Sequence, residues 1–154
     1  ALPIFMPGQL VASQKCSELT VRVVSTPAEV IDWLEPYCTG FSLNDTIREH
    51  FQQFIRGRLN SSQTEAWFVG YVENQPVCCA YYLTTSEITV IYNVSTLADF
   101  RNRGFGRSLV EAAIRHAWQH SSYPIALYSS EMGLSVYRRI GFSHVYELGE
   151  FVRE

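Results

Sequence analysis

The feature that most narrows the fold is a single change of apolar period in the second half of the chain. Ala66 to Val72, Val77 to Thr84 and Ile88 to Thr96 are three β-type runs in succession, the first two joined at Asn74-Gln75-Pro76. Such runs around a short turn predict an antiparallel meander. From Gly104 to His120 the period becomes 3.6, with Leu109, Val110, Ala113, Ile114, Ala117 and Trp118 on one stripe. That stripe predicts a helix packed on the meander.

The flanks extend this frame. Leu19 to Ser25 alternates around Val21 and Val23 and predicts a first strand. Thr26-Pro27-Ala28-Glu29 is a capping box with proline at the first helical position, followed by Val30, Ile31, Trp33 and Leu34, and Pro36 is expected to end that helix. A second helix is expected from Asp45 to Arg58, with Ile47, Phe51, Phe54 and Ile55 at helical spacing. Ile125 to Tyr128 predicts a buried strand, and Ser130 caps a short helix that ends at Ile140 before Gly141. Ser143 to Leu148 and Phe151 to Arg153 predict two closing strands. This order predicts an α+β fold: one mixed sheet of about seven strands flanked by about four helices. Residues 1–18 lack a sustained period and are expected to be an arm or linker, leaving 19–154 as one domain.

Composition removes whole classes of function. With 47% hydrophobic and 18% charged residues and a net charge of -3, the chain has no electrostatic footprint for nucleic acid or an anionic membrane. Basic charge rests on eleven arginines and the single Lys15, which lies outside the patterned region. That excludes a P-loop lysine and a pyridoxal Schiff base, so a phosphate site must use backbone amides and arginine. Cys16, Cys38, Cys78 and Cys79 lack CxxC spacing and are expected as reduced thiols, the adjacent pair facing opposite ways. With no run long enough to span a bilayer and no signal-peptide pattern, the expectation is a cytoplasmic protein. His116 and His120 are four apart, but no glutamate stands at the metalloprotease position and no third ligand is evident, so no metal is expected. Ser135 follows Gly133 without the second glycine of a GxSxG elbow, which argues against a serine hydrolase.

One stretch carries chemistry. From Val94 through Ser108 a strand passes through a glycine-bearing loop into the long helix. The unsatisfied N–H groups and positive dipole end of that helix form an anion site, and glycine lets a phosphate approach the backbone. Arg101, Arg103 and Arg107 add charge around it. A Rossmann fingerprint would need a third glycine beyond Gly106, and a Walker loop would need a lysine. The ligand is therefore expected to be a phosphate compound other than a dinucleotide or nucleoside triphosphate.

The run Arg101-x-x-Gly104-x-Gly106 resembles the Arg/Gln-x-x-Gly-x-Gly/Ala loop of GNAT acetyltransferases, and Leu134-Ser135-Val136-Tyr137-Arg138-Arg139-Ile140-Gly141-Phe142 resembles their second motif, a tyrosine helix followed by Gly-Phe. Element order fits from Leu19 onward. More narrowly, Ile91 to Leu97 and Ser130-x-Met132-Gly133-x-x-Val136-Tyr137 resemble a bacterial branch with this domain at the C-terminus of a longer chain. The resemblance implies acetyl-CoA as cosubstrate and no metal. It implies that Arg101 and the amides of Arg103, Gly104, Phe105, Gly106, Arg107 and Ser108 hold the pyrophosphate. Val94, Ser95 and Thr96, on a strand splayed by a bulge, are expected to pair through their backbone with the pantetheine arm. Tyr137 is expected as the acid that protonates the departing thiolate. Ser130 stands where many members have an asparagine, and its hydroxyl is expected to supply part of that cofactor contact. Gly133 replaces a usual alanine and is expected to leave room near the cofactor. The implied activity is direct acetyl transfer, in a ternary complex, to a primary amine on a small molecule or peptide. The alternative is a module that binds acyl-CoA without turnover. Homodimers are common in the family. Glu65, Glu87 and Asp99 are the carboxylates near strand ends or the loop, and no base is assigned among them. Trp33, Phe41, Phe51 and Phe54 are expected mainly as core, on helices that in this fold wall the acceptor groove.

Overall fold

The computed structural model describes residues 2–5, 16–59 and 61–146. Among them the order is β1 (Leu2–Phe5), β2 (Thr20–Val23), α1 (Pro27–Gly40), α2 (Asp45–Arg58), β3 (Glu65–Val72), β4 (Gln75–Thr84), β5 (Thr89–Thr96), α3 (Phe105–His120), β6 (Ile125–Leu127), α4 (Glu131–Ile140) and β7 (Ser143–Tyr146). A single 3₁₀ turn, Ala98–Phe100, links β5 to the loop before α3. The strands form one mixed sheet in the order β2-β3-β4-β5-β6-β1-β7. Among the described residues only the β5–β6 pairing is parallel.

The strands are not the seven that the sequence predicts. Six of the expected runs appear, while Phe151 to Arg153 lies outside the described residues, as does the end of the Ser143 to Leu148 run. The remaining strand is Leu2–Phe5, inside the segment expected to be an arm. It lies antiparallel between β6 and β7. Four residues containing Pro3 are too few to display a period, and their pairing is decided by neighbours more than 100 residues away.

Pro36 does not end α1, which continues to Gly40. Tyr37 and Cys38, beyond the proline, are buried in one cluster with Val30, Trp33 and Leu34. Burying two such side chains at about 1.5–3 kcal/mol for the larger offsets the cost of about 3 kcal/mol for an internal proline. The start follows the sequence: Glu29 N–H donates to Thr26 Oγ1, and Glu29 Oε2 accepts from the Thr26 N–H. The β3–β4 turn is also tighter than expected. Glu73 and Asn74 both carry positive φ, 49° and 68°, as a two-residue hairpin requires, and Pro76 sits within β4 opposite Tyr71.

The sheet separates two apolar layers. On the α3 and α4 side lie Phe68, Tyr82, Ile91, Leu109, Ile114 and Tyr137. The α1 and α2 side holds Trp33, Leu34, Tyr37, Ile55, Trp67 and Cys79. Cys78 and Cys79 fall in opposite layers as unpaired thiols, the alternation expected of neighbours on a strand. Among the described residues no helix is long and apolar enough to cross a membrane.

Candidate functional site

The site begins where two strands part. β5 and β6 pair in parallel over Thr89↔Ile125, Val90↔Ala126 and Ile91↔Leu127. There β6 ends, and β5 continues alone to Thr96. On its other side β5 remains attached to β4, with a register shift between Tyr81↔Tyr92 and Cys79↔Ser95. The shift is a bulge at Asn93, whose φ is 55°. The Cys79 thiol donates to the Asn93 carbonyl at 3.4 Å and plugs the bulge. Burial pushes that thiol well above its usual range, so it remains neutral. Leu97 N–H donates to the Val77 carbonyl of β4 at 2.9 Å. By strand alternation the N–H groups of Thr96 and Val94 face the opposite, open side.

The N-terminus of α3 stands beside this edge. Its cap is Gly104 at φ 81°, a left-handed conformation that brings no capping side chain, and its first turn holds no acidic residue. Helix geometry leaves the amides of Phe105, Gly106 and Arg107 without internal partners. A Cβ on Gly106 would lie 3.3 Å from Thr96 Oγ1, so glycine here keeps helix and strand close. Thr96, Arg101, Gly106, Arg107, Val136 and Arg139 are among the walls of a cavity of about 440 Å³ at this junction. Arg101 Nε also donates to the Thr96 carbonyl at 3.0 Å, bracing the end of β5.

The structure sorts the expected site residues. Val94, Thr96, Arg101, Gly104, Phe105, Gly106 and Arg107 come together around the strand edge and the cavity. Arg103 does not line it: its guanidinium pairs with Glu18 and lies 4.8 Å from the Phe105 ring centre and 5.6 Å from that of Phe100. Ser108 N–H already donates to the Gly104 carbonyl at 3.0 Å, and its side chain lines a different cavity, against β2. Ser95 is turned to the α1 face, where a Cβ on Gly40 would lie 1.8 Å from its Oγ. Ser130 caps α4 by accepting the Gly133 N–H at 3.3 Å. The space expected beside Gly133 is taken by the Tyr137 ring, since a Cβ there would lie 2.8 Å from Tyr137 Cε2.

Tyr137 is 8% exposed and meets Phe142 edge-on at 6.0 Å. Burial pushes its hydroxyl up to about 12. No described residue hydrogen-bonds that hydroxyl. Sequence reasoning missed Arg139 and Val136, although i, i+3 spacing places both on one face of α4. Arg107 is shared between the cavity and Glu111, a buried carboxylate 2.8 Å from its Nε.

The candidate carboxylates are engaged elsewhere or lie in turns. Glu65 accepts from Arg58 Nε and from the Tyr81 hydroxyl, both at 2.8 Å. Glu87 lies in the β4–β5 turn and Asp99 in the 3₁₀ turn. His116 Nδ1 is 2.9 Å from the Tyr82 hydroxyl, and its ring packs edge-on against Phe68. No group of three or more His, Cys, Asp or Glu able to hold a metal occurs among the described residues.

The acetyltransferase (GNAT) domain family matches residues 63–144. No curated protein matches the sequence. Among solved structures, a GCN5-related N-acetyltransferase from Kribbella flavida superposes with a TM-score of 0.65 at 18% identity over 92% of this chain and 52% of its own. A predicted acetyltransferase from Clostridium acetobutylicum, solved with acetyl-CoA, gives 0.71 at 15% identity, over 87% and 96% of the two chains. AAC(6')-Iy in complex with the bisubstrate analogue CoA-S-monomethyl-acetylneamine gives 0.73 at 14% identity, over 90% and 99%. The chain spans about half the length of the Kribbella protein, and likewise 47% of a neighbour from Pyrococcus horikoshii. At these identities the likeness is one of fold, and it does not reach the narrower bacterial branch. The family match covers more than half of the 154 residues, including the glycine loop and the tyrosine helix, and the chain belongs to the acetyltransferase (GNAT) domain family.

Proposed function

We propose that this domain transfers the acetyl group of acetyl-CoA to a primary amine by direct attack in a ternary complex. The observation that carries the reading is the meeting of an uncapped helix N-terminus, glycine at 104 and 106, with the free edge of a bulged strand and a buried tyrosine. Open amides with Arg101, Arg107 and Arg139 suit a pyrophosphate, and a free strand edge suits an extended arm bearing amides. When bound, acetyl-CoA supplies the activated acyl group. The N–H of Val94 or Thr96 then meets the charge that develops on the thioester oxygen, a contribution of about 3 kcal/mol for a fixed donor.

Tyr137 is the proton donor in this reading. A hydroxyl held near 12 stays protonated at neutral pH, while a thiolate with an ordinary value of about 8.5 accepts its hydrogen bond as charge builds. In balance, the amine lone pair forms the C–N bond and the C–S pair leaves on sulfur. Sulfur takes the Tyr137 proton, the amine loses one to solvent, and solvent reprotonates the tyrosine. The products are an N-acetyl amide and CoA.

Thermal unfolding with added acetyl-CoA tests the cofactor assignment without knowledge of the acceptor. Saturation at about 100 times Kd is expected to add about 2.7 kcal/mol, a rise of roughly 5–10 °C. No shift at millimolar acetyl-CoA overturns the assignment. Binding without turnover of any amine, by the parent protein as by Tyr137→Phe, would instead support the acyl-CoA-binding module.

A further inference from the structure

The face of β5 away from α3 carries a feature that the cofactor reading does not use. Trp67, Tyr81 and Tyr92 are register neighbours on β3, β4 and β5. Their rings form a continuous stack, with centres 4.9 Å and 6.2 Å apart and planes inclined by 23° and 28°. The stack ends at the mouth of the splay. Tyr92 follows Ile91 and Tyr128 follows Leu127, the last residues that β5 and β6 pair. Ile91 and Leu127 both point into the α3-side core, so alternation turns Tyr92 and Tyr128 to the α1 side, one on each lip of the opening. They are 37% and 52% exposed. Burial, and then the neighbouring Tyr128 hydroxyl, push the Tyr92 hydroxyl above its usual range, which agrees with their facing each other.

The inner end of this ledge is closed. Tyr81 donates to Glu65, and Arg58 holds the same carboxylate. Along the stack an incoming ammonium therefore meets ring faces, not a free carboxylate. Above the ledge, Gly40 ends α1 against Ser95, and the next residue, Phe41, is half-exposed and packs on Tyr37. Near-parallel rings leave the outer face of Tyr92 as the next place in the stack, and such a place favours a flat ring at offset-stacking distance over a saturated body of equal size. The ring faces also attract the cationic form of the amine during approach.

Building on the acetyl-transfer reading, we propose that the acceptor is a primary amine tethered to a flat aromatic body, which continues the Trp67–Tyr81–Tyr92 stack and is clasped by Tyr128 while its nitrogen reaches the splay. The transfer itself is unchanged: the nitrogen gains the acetyl group and loses one proton, and CoA leaves as the thiol.

The test compares 2-phenylethylamine, 2-cyclohexylethylamine and putrescine as acceptors, with CoA thiol release as the readout. The expected result is a kcat/KM for 2-phenylethylamine about 10-fold or more above both others, as a stacking gain of about 1.4 kcal/mol implies. Tyr92→Ala is expected to remove that preference chiefly through KM, and Tyr92→Phe to retain it. Tyr128 is the more exposed lip, so Tyr128→Ala gives a second reading, expected to shrink the preference, should Tyr92→Ala fail to fold. Equal or better turnover of either non-aromatic amine overturns the proposal, and so does a preference unchanged in a folded Tyr92→Ala or in Tyr128→Ala. If acetyl-CoA produces no thermal shift, both this proposal and the acetyl-transfer reading fall. A shift without an aromatic preference removes this one alone.

Discussion

The two sides of the parted β5–β6 pair are built by different means. On the α3 side main chain meets arginine: uncapped amides, a strand edge and two glycines, with Arg101, Arg107 and Arg139 around them. On the α1 side they are ring faces contributed by separate strands and aligned by register. In the proposed reading the backbone meets what every CoA thioester shares, because amides at a helix end read charge and not shape. Side chains can vary without moving the sheet, so the aromatic side is where acceptor choice can reside.

The sharpest way to break this contrast is to remove the side chain proposed as the proton donor on the α3 side. Tyr137→Phe is expected to lower kcat by about 10²–10³-fold while leaving the acetyl-CoA thermal shift intact. With Tyr137 as the proposed donor, the parent protein should show no alkaline fall in kcat below about pH 10, since the folded hydroxyl is raised to about 12. The sign follows from the raised value: stability that depends on the neutral hydroxyl is complete below the ordinary value near 10 and is lost as pH climbs towards 12. A kcat unchanged in a folded Tyr137→Phe would remove Tyr137 as the donor.

A smaller effect separates two arginines. Arg139→Ala is expected to weaken acetyl-CoA binding about 10-fold, the scale of one charge-assisted hydrogen bond, whereas Arg103→Ala should alter it by less than about 2-fold. Calorimetric titration of both variants decides the point, and the reverse order would return Arg103 to the cradle. Smaller again is Gly104→Ala. A Cβ there meets nothing within 4 Å, so the cost comes from φ 81° alone, about 1–2 kcal/mol or roughly 3–6 °C in Tm. Thr26→Ala, remote from both sides, should cost about 1 kcal/mol through the lost cap and leave acetyl-CoA affinity unchanged. A change in affinity from that variant would show that α1 is coupled to the cofactor side.

The same contrast explains what could be read in advance. The cradle was visible because glycine spacing and a switch to helical period are local, and both fall within residues 94–120. The aromatic ledge was not, because Tyr81, Tyr92 and Tyr128 each look like an ordinary strand tyrosine until the Asn93 bulge and the end of β6 set their register. Arg103 and Arg139 illustrate the limit inside a motif: which arginine faces the cavity depends on Glu18 and on the rings of Phe100 and Phe105, none of which the loop spacing encodes. Pro36 shows a local rule outweighed by burial of the residues after it. Leu2–Phe5 shows a strand that exists only through its distant neighbours.

The three arginines that line the cavity beside α3 have a consequence for the proposed cofactor site. A guanidinium stays charged at any pH the fold survives and is a poor nucleophile, unlike a lysine amine. A lysine in those positions would offer an amine that acetyl-CoA arriving from solution could acylate, and its acetylation would erase the charge proposed to hold the pyrophosphate. Arginine would keep the proposed cradle charged in the presence of a reactive acyl donor.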